Sequence, residues 1–282
     1  MIADAKDFIT PHITDSHTLD YPCFHTGFVC EYELPRWNPI HIGSFALDIS
    51  PTRHVVMLWI AAFLCIVTTL LALRAHNRKT REGKAPSGLG NGLEALVLYL
   101  RNEVVIPNVG AHGNGYVPYL LTLFFFVLFA NLLGMVPYGS TATGNISVTA
   151  TLAIVTFIVI ELAGIKAQGK AYINTIVFWP HDMSLGMKLF ISPILTPIEL
   201  IGKFTKPFAL AIRLFANMTA GHVVLLALIS LIFTFGSWFL VPVPILMALG
   251  ISILELFVAF LQAFIFTLLA SVFIGLIREG AH

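Results

Sequence analysis

The chain has 282 residues, 57% of them hydrophobic and only 11% charged, with a formal net charge of +1. An ordinary globular domain carries about 25% charged residues, so a soluble fold of this composition would expose large apolar patches. The near-zero charge offers no field for nucleic acid, and three Cys supply neither a disulfide framework nor a four-ligand metal site. Long uncharged runs instead mark an all-α, polytopic membrane protein.

Residues 1–54 are the one long polar stretch. They hold seven acids (Asp4, Asp7, Asp15, Asp20, Glu31, Glu33, Asp48), three bases (Lys6, Arg36, Arg53) and five His (12, 17, 25, 41, 54). No basic segment leads into an apolar core there, so no signal peptide is expected. The irregular His spacing favours a polar arm outside the membrane over a metal site, and no metal or other cofactor is expected. Cys23 and Cys30 can pair if the arm lies outside the cytoplasm, and two unpaired thiols fit the sequence equally.

Val55–Leu73 is 19 uncharged residues, about 28 Å as a helix and one hydrocarbon thickness. Residues 74–84 follow with five bases and one acid. The positive-inside rule makes that loop cytoplasmic and the arm extracytoplasmic. Gly88-Leu-Gly-Asn-Gly92 lacks the preceding strand and the spacing of a phosphate loop, and is read as a flexible linker. Leu93, Leu96, Val97, Leu100 and Val104 recur at helical spacing up to Pro107, which predicts a surface helix over about 93–105.

Four more apolar segments follow: 117–137, 146–165 with Glu161 near its end, 190–235 and 242–277. Five spans place the termini on opposite sides. Basic residues at Arg74–Lys84, Lys166, Lys170 and Arg278 then fall in the cytoplasm, together with the C-terminus. The domain reading is an extracytoplasmic polar arm over 1–54 and a transmembrane domain over 55–282. The last two segments would be about 69 and 54 Å long as helices, against about 30 Å of hydrocarbon. Either Pro193, Pro197 and Pro207 break the first of them, or both lie strongly tilted, as a hairpin turning at Gly236–Val241.

Between Phe208 and Ile277 only Arg213 and Glu255 are formally charged, with His222 the other ionisable group of note. A mid-bilayer Arg costs about 2.5–3.5 kcal/mol on insertion scales, and intramembrane ionisable groups are functional candidates by default. Glu199, Lys206 and Arg213 are seven apart, and Asn217 is four further on, so all four share a helix face. His222 is nine beyond Arg213, half a revolution round. Glu255 and Gln262 are seven apart on the last helix. Such a distribution suggests two aqueous paths that do not meet. An Arg, always charged, separates them, while His222 and Glu255 titrate.

Lys206-Pro-Phe-Ala-Leu-Ala-Ile-Arg-Leu-Phe-Ala-Asn-Met-Thr-Ala-Gly-His222 closely resembles the signature of the subunit a family of F-type ATP synthases. Leu254-Glu-Leu-Phe-Val-Ala-Phe-Leu-Gln-Ala-Phe-Ile-Phe266 is similar to that family's last helix, and Asn131-Leu-Leu-Gly-Met-Val-Pro137 to an earlier span. The resemblance covers most of residues 50–280. It implies a stator channel whose tilted hairpin packs on a rotating ring of c subunits, each with a membrane carboxylate. Arg213 matches the family's essential arginine, which attracts each carboxylate and blocks leakage between two proton half-channels. Asn217, His222, Glu255 and Gln262 match polar positions along the proton path; Glu199 and Lys206 match positions toward the cytoplasmic exit. Some relatives carry an acid where His222 stands and a His where Glu255 stands, so the pair is exchanged here. No outer-side inlet residue follows from the resemblance.

The implied partners are the c ring, the peripheral stalk b subunits, the rest of the ATP synthase complex and membrane lipid. The implied home is a bacterial inner membrane. With no nucleotide motif of its own, the chain is not expected to be an enzyme alone. Rival readings are a stand-alone secondary transporter or ion channel, which an inverted repeat would favour and none is evident, and a structural anchor.

Overall fold

The computed structural model describes residues 14–21, 23, 30–42, 45–81, 88–110, 113–136, 139–169, 172, 185–235 and 241–279. His12, His25, residues 82–84, Pro137, Lys170 and residues 236–240 of the expected hairpin turn lie outside the described residues. Two short antiparallel hairpins come first: β1 (Thr18–Tyr21) with β2 (Cys30–Glu33), and β3 (Ile40–Ile42) with β4 (Phe45–Leu47). The rest is helical: α1 (Arg53–Arg81), α2 (Leu89–Tyr99), a π-helical stretch Leu100–Val105, α3 (Ile106–Val109), α4 (Val117–Met135), α5 (Ile146–Gln168), α6 (Leu185–Phe235) and α7 (Pro242–Glu279). Five of these segments are long and apolar enough to cross a membrane. The chain is an all-α membrane protein.

The structure moves several expected boundaries. α1 runs on to Arg81, because no Gly or Pro occurs between Leu73 and that residue to break it. The surface helix starts earlier and ends later than 93–105. Gly88, at φ 74°, precedes it, and Gly92 of the expected linker is helical. Pro107 does not end the helix. The π turn before it already departs from the α hydrogen-bonding ladder, so the missing proline N–H falls where the ladder is irregular. In α6, Pro193, Pro197 and Pro207 are all accommodated within one 51-residue helix. At about 1.5 Å per residue it is about 76 Å long, so the length excess is not relieved by a break.

The chain divides into two compact units. The first comprises Met1–Leu73, Phe125–Val148 and Leu214–Ala263. Its polar arm is tied to the start of α1. The Arg53 Nη2 donates to Asp20 Oδ2 at 2.6 Å, with Arg53 buried. The backbone N–H of Arg53 donates to Ser16 O, and that of Leu34 to His17 O. Cys23 and Cys30 form a disulfide that closes the β1–β2 hairpin, which decides between the two readings of these thiols. The core of the unit draws Met57, Ala61 and Cys65 from α1, Val127, Ala130 and Asn131 from α4, Leu214 and Met218 from α6, and Ala259 and Ala263 from α7.

The second unit comprises Arg74–Phe124, Thr149–Arg213 and Phe264–His282. Leu100, Val104, Val105 and Val109 turn inward from the α2–α3 segment, with Leu120 and Phe124 of α4 and Phe266, Ala270 and Ile274 of α7 also buried. Arg278 Nη1 donates to the terminal carbonyl of Val109 at 2.9 Å, a cation placed on orphan helix carbonyls. Gly275 lies against the same end, where an added Cβ would sit 1.9 Å from Asn108 O. The Glu161 carboxylate on α5 lies 3.6 Å from Lys203 Nζ, which also reaches Tyr172 OH at 3.3 Å.

Gly275→Val should therefore be overpacked by backbone that cannot withdraw. A loss of about 1–3 kcal/mol is expected, read as a lower midpoint of thermal unfolding in detergent, while Gly250→Val, where an added Cβ meets nothing, should leave it unchanged.

Candidate functional site

The seven-residue stripe on α6 is displayed on the surface of the chain. Glu199, Lys206, Arg213 and Asn217 are all exposed. Lys206 Nζ sits over the Phe273 ring at 5.2 Å, the way a long cation is held on an apolar helix. Arg213 makes no hydrogen bond or ion pair with the described residues. Exposed residues beside it include Ala209, Ile212, Ala216 and Ala220, which leave its guanidinium unscreened and permit close approach of another helix.

The groups placed off that stripe behave differently. His222 is half-buried, and Glu255 and Gln262 are buried at 3% and 4% exposure. Glu255, Ala259, Gln262, Ala263 and Phe266 form the inward face of α7, at the 3–4 spacing of a buried helix stripe. The structure brings His222 and Glu255 together, Nδ1 to Oε1 at 3.7 Å. This is too long for a hydrogen bond and close enough for an ion pair or a bridging water. Neither carboxylate oxygen of Glu255 has a hydrogen-bond partner among the described residues. Burying an unsatisfied carboxylate is costly, so this group takes either the imidazolium of His222, a proton, or water as its partner. Gly221 makes that packing possible, because a Cβ there would lie 2.8 Å from Glu255 Oε1.

Sequence reasoning passed over a second polar layer. Thr141 Oγ1 lies 3.4 Å from His222 Nδ1. Thr143 Oγ1 donates to Asn131 Oδ1 at 2.7 Å, and Asn131 Nδ2 donates to the carbonyl of Ala259 at 3.2 Å, which fixes α7 beside α4. Thr219 Oγ1 donates to Gly144 O. The signal available in the sequence was Asn131, an amide in an otherwise uncharged span, and the Ser-Thr-Ala-Thr-Gly-Asn run at 140–145. His54, taken as one of several His on a polar arm, is buried. Its Nδ1 lies 3.3 Å from Asp15 Oδ1 and 3.1 Å from Asn145 Nδ2. No group of three or more His, Cys, Asp or Glu that could hold a metal occurs among the described residues.

The described residues thus combine a polytopic helical architecture, an exposed arginine, paired by none of them, on a 51-residue helix, and a His222–Glu255 pair whose carboxylate is buried. The ATP synthase A chain family model matches residues 55–275. The chain is 46% identical to ATP synthase subunit a of Chloroherpeton thalassium over 94% of this chain and 74% of that one. It is 46% identical to ATP synthase subunit a 2 of Chlorobaculum tepidum over 96% and 72%, and 48% identical to ATP synthase subunit a of Pelodictyon phaeoclathratiforme over 99% and 77%. The chain belongs to the ATP synthase A chain family.

Asp15 offers a pH test of the arm. Partial burial pushes its carboxyl up, but the hydrogen bond and charge of His54 outweigh that and hold it below its ordinary value of 3.8. A depressed carboxyl stabilises the fold above its unfolded pKa and loses that contribution as pH falls through the lower folded value. Hydrogen exchange of residues 14–21 should therefore accelerate below about pH 4, and Asp15→Asn should flatten that part of the profile.

Proposed function

We propose that this chain is the stator subunit a of an F-type ATP synthase, multi-pass in a bacterial inner membrane with its N-terminus outside and its C-terminus in the cytoplasm. The observation that carries the reading is Arg213, an exposed cation on an apolar helix with no partner among the described residues of its own chain. A charge there needs an acidic partner from another chain, and a c-ring carboxylate is one. Family membership and the local run of alanines support the same partner. The peripheral stalk b subunits and the rest of the complex complete the assembly, and the chain performs no ATP chemistry by itself. The disulfide of the arm suits an oxidising compartment and supports the outside N-terminus.

On this reading α6 and α7 form a slanted hairpin against the ring, with Arg213 and Gln262 brought close. Protons enter one half-channel past His222 and Glu255, load the ring carboxylate, and leave through a second path along Lys206 and Glu199. Asn217 flanks the arginine. Arg213 stays charged at every physiological pH, so it attracts the carboxylate without passing a proton and keeps the two paths apart. One charge crossing 100 mV is worth about 2.3 kcal/mol, so many small steps must be summed for each ATP, which suits a ring of carriers. A stand-alone transporter would leave Arg213 facing lipid.

Arg213→Lys should leave subunit a in the membrane at normal amount and abolish proton-driven ATP synthesis, because lysine lacks the planar fork and loses its proton when desolvated. Near-normal synthesis in reconstituted vesicles would remove Arg213 from the mechanism. His222→Ala or Glu255→Ala should slow proton flux about 10-fold or more, a proton-relay loss. The double exchange His222→Glu with Glu255→His should recover part of it. A double variant no faster than the slower single would show that the two do not act as a pair.

A further inference from the structure

On the reading of the chain as a proton-conducting subunit a, we infer that His54, held between Asp15 and Asn145, is a proton relay at the arm-side mouth of the path to His222 and Glu255. All the groups concerned lie in the first unit. Asp15 is exposed on the arm and in contact with water. The His54 ring behind it is buried. A cavity of about 10 Å³, the room one water needs, has His54, Thr141, Thr219 and His222 in its lining, together with Met218. Beyond it come the 3.4 Å approach of Thr141 to His222 and the 3.7 Å approach of His222 to Glu255. Polar groups thus succeed one another from the arm's surface, through this cavity, to a buried carboxylate with no hydrogen-bond partner among the described residues.

The two neighbours of His54 Nδ1 suit opposite protonation states. The Asn145 amide donates only through Nδ2, and its Oδ1 is taken up by the Ser147 backbone N–H at 2.9 Å. Asn145 therefore donates to the lone pair of a neutral ring. The Asp15 carboxylate accepts, and suits the imidazolium, whose Nδ1 carries a proton. Neither state leaves Nδ1 unsatisfied, so the ring gains and loses a proton without stranding a buried polar atom. The other charged groups close by are Arg53, neutralised by Asp20, and His222 across the cavity. In one cycle a hydronium on the arm side gives its proton to the His54 ring and becomes water. The imidazolium then gives a ring proton to a cavity water, that water gives one on to His222, and His222 passes it to the Glu255 carboxylate. His54 ends neutral with its proton on Nδ1, and proton exchange with water returns it to the starting Nε2–H tautomer before the next cycle.

The test uses the whole ATP synthase in proteoliposomes, with ATP synthesis driven by an imposed proton gradient. His54→Ala should slow synthesis about 10-fold, at the low end of what a positioned proton-transfer group contributes because water partly replaces it. Imidazole added on the arm side should restore much of the rate, since the truncated side chain leaves room for it. His54→Gln keeps the volume, so it should be equally slow and should not respond. Full activity in both variants, or a slow His54→Ala enzyme that imidazole leaves slow, overturns the relay. Where the His54 variants fail to assemble, Asp15→Asn, which alters only the exposed end, should still slow synthesis at alkaline arm-side pH, and an unchanged rate there overturns the relay. Arg213→Lys is assayed alongside. If it makes ATP, the underlying subunit a reading fails and the relay falls with it. If it is inactive while the His54 variants run at full rate, the relay alone is wrong.

Discussion

A guanidinium cannot be neutralised by losing its proton, and it is expensive to leave in hydrocarbon. Arg213 is nevertheless presented on the exposed face of α6, with no ion pair from the described residues of its own chain. A buried lysine or carboxylate could settle such a conflict by changing its protonation state; an arginine has no such recourse. The remaining features fit that constraint. The helix that carries it is longer than any upright span needs, its neighbours at 209, 216 and 220 are alanines, and several other ionisable groups of the described structure are paired. Glu161 has Lys203, Asp20 has Arg53, and Glu255 is turned inward toward His222.

Much of this was legible from the residues. Apolar run lengths gave five spans to within a few residues, since hydrocarbon thickness imposes a sharp length rule. The seven-residue spacing identified the exposed stripe, and the half-revolution offset set His222 apart from it, because both follow from 3.6 residues per turn. The spacing of Glu255 and Gln262 likewise marked one inward face. Proline was the poorest guide. Pro107 and three prolines of α6 all sit inside helices, where packing and local irregularity outweigh the cost of a missing N–H. Gly88–Gly92 was misread for the opposite reason, since four of its five residues are recruited into a helix whose packed face begins further on.

What the sequence could not disclose were contacts between residues far apart along the chain. Nothing in the arm's composition distinguishes His54 from His41. Only the fold places His54 beside Asp15, 39 residues away, and beside Asn145, 91 away. Asn131 and Thr143 show the same limit, because their role is to bind each other and the carbonyl of Ala259. Short polar side chains carry no periodic signature, and their partners are chosen by tertiary geometry.

The two kinds of polar group on α6 and α7 divide the labour along physical lines. Of the groups that can change protonation, Glu255 is buried and His222 half-buried, so few neighbours surround them. The group that cannot change protonation, Arg213, is exposed, where on the proposed reading a partner from another chain would come and go. Exchanging those positions would fail on energetic grounds. A buried arginine would need permanent compensation and would hold its partner too tightly to let it leave. A titrating group on the outer face would discharge to the lipid-facing side and lose the charge that attracts a passing carboxylate. On the proposed reading, the separation of a fixed charge from titrating ones is what would allow a proton path and a moving partner to share a single pair of helices.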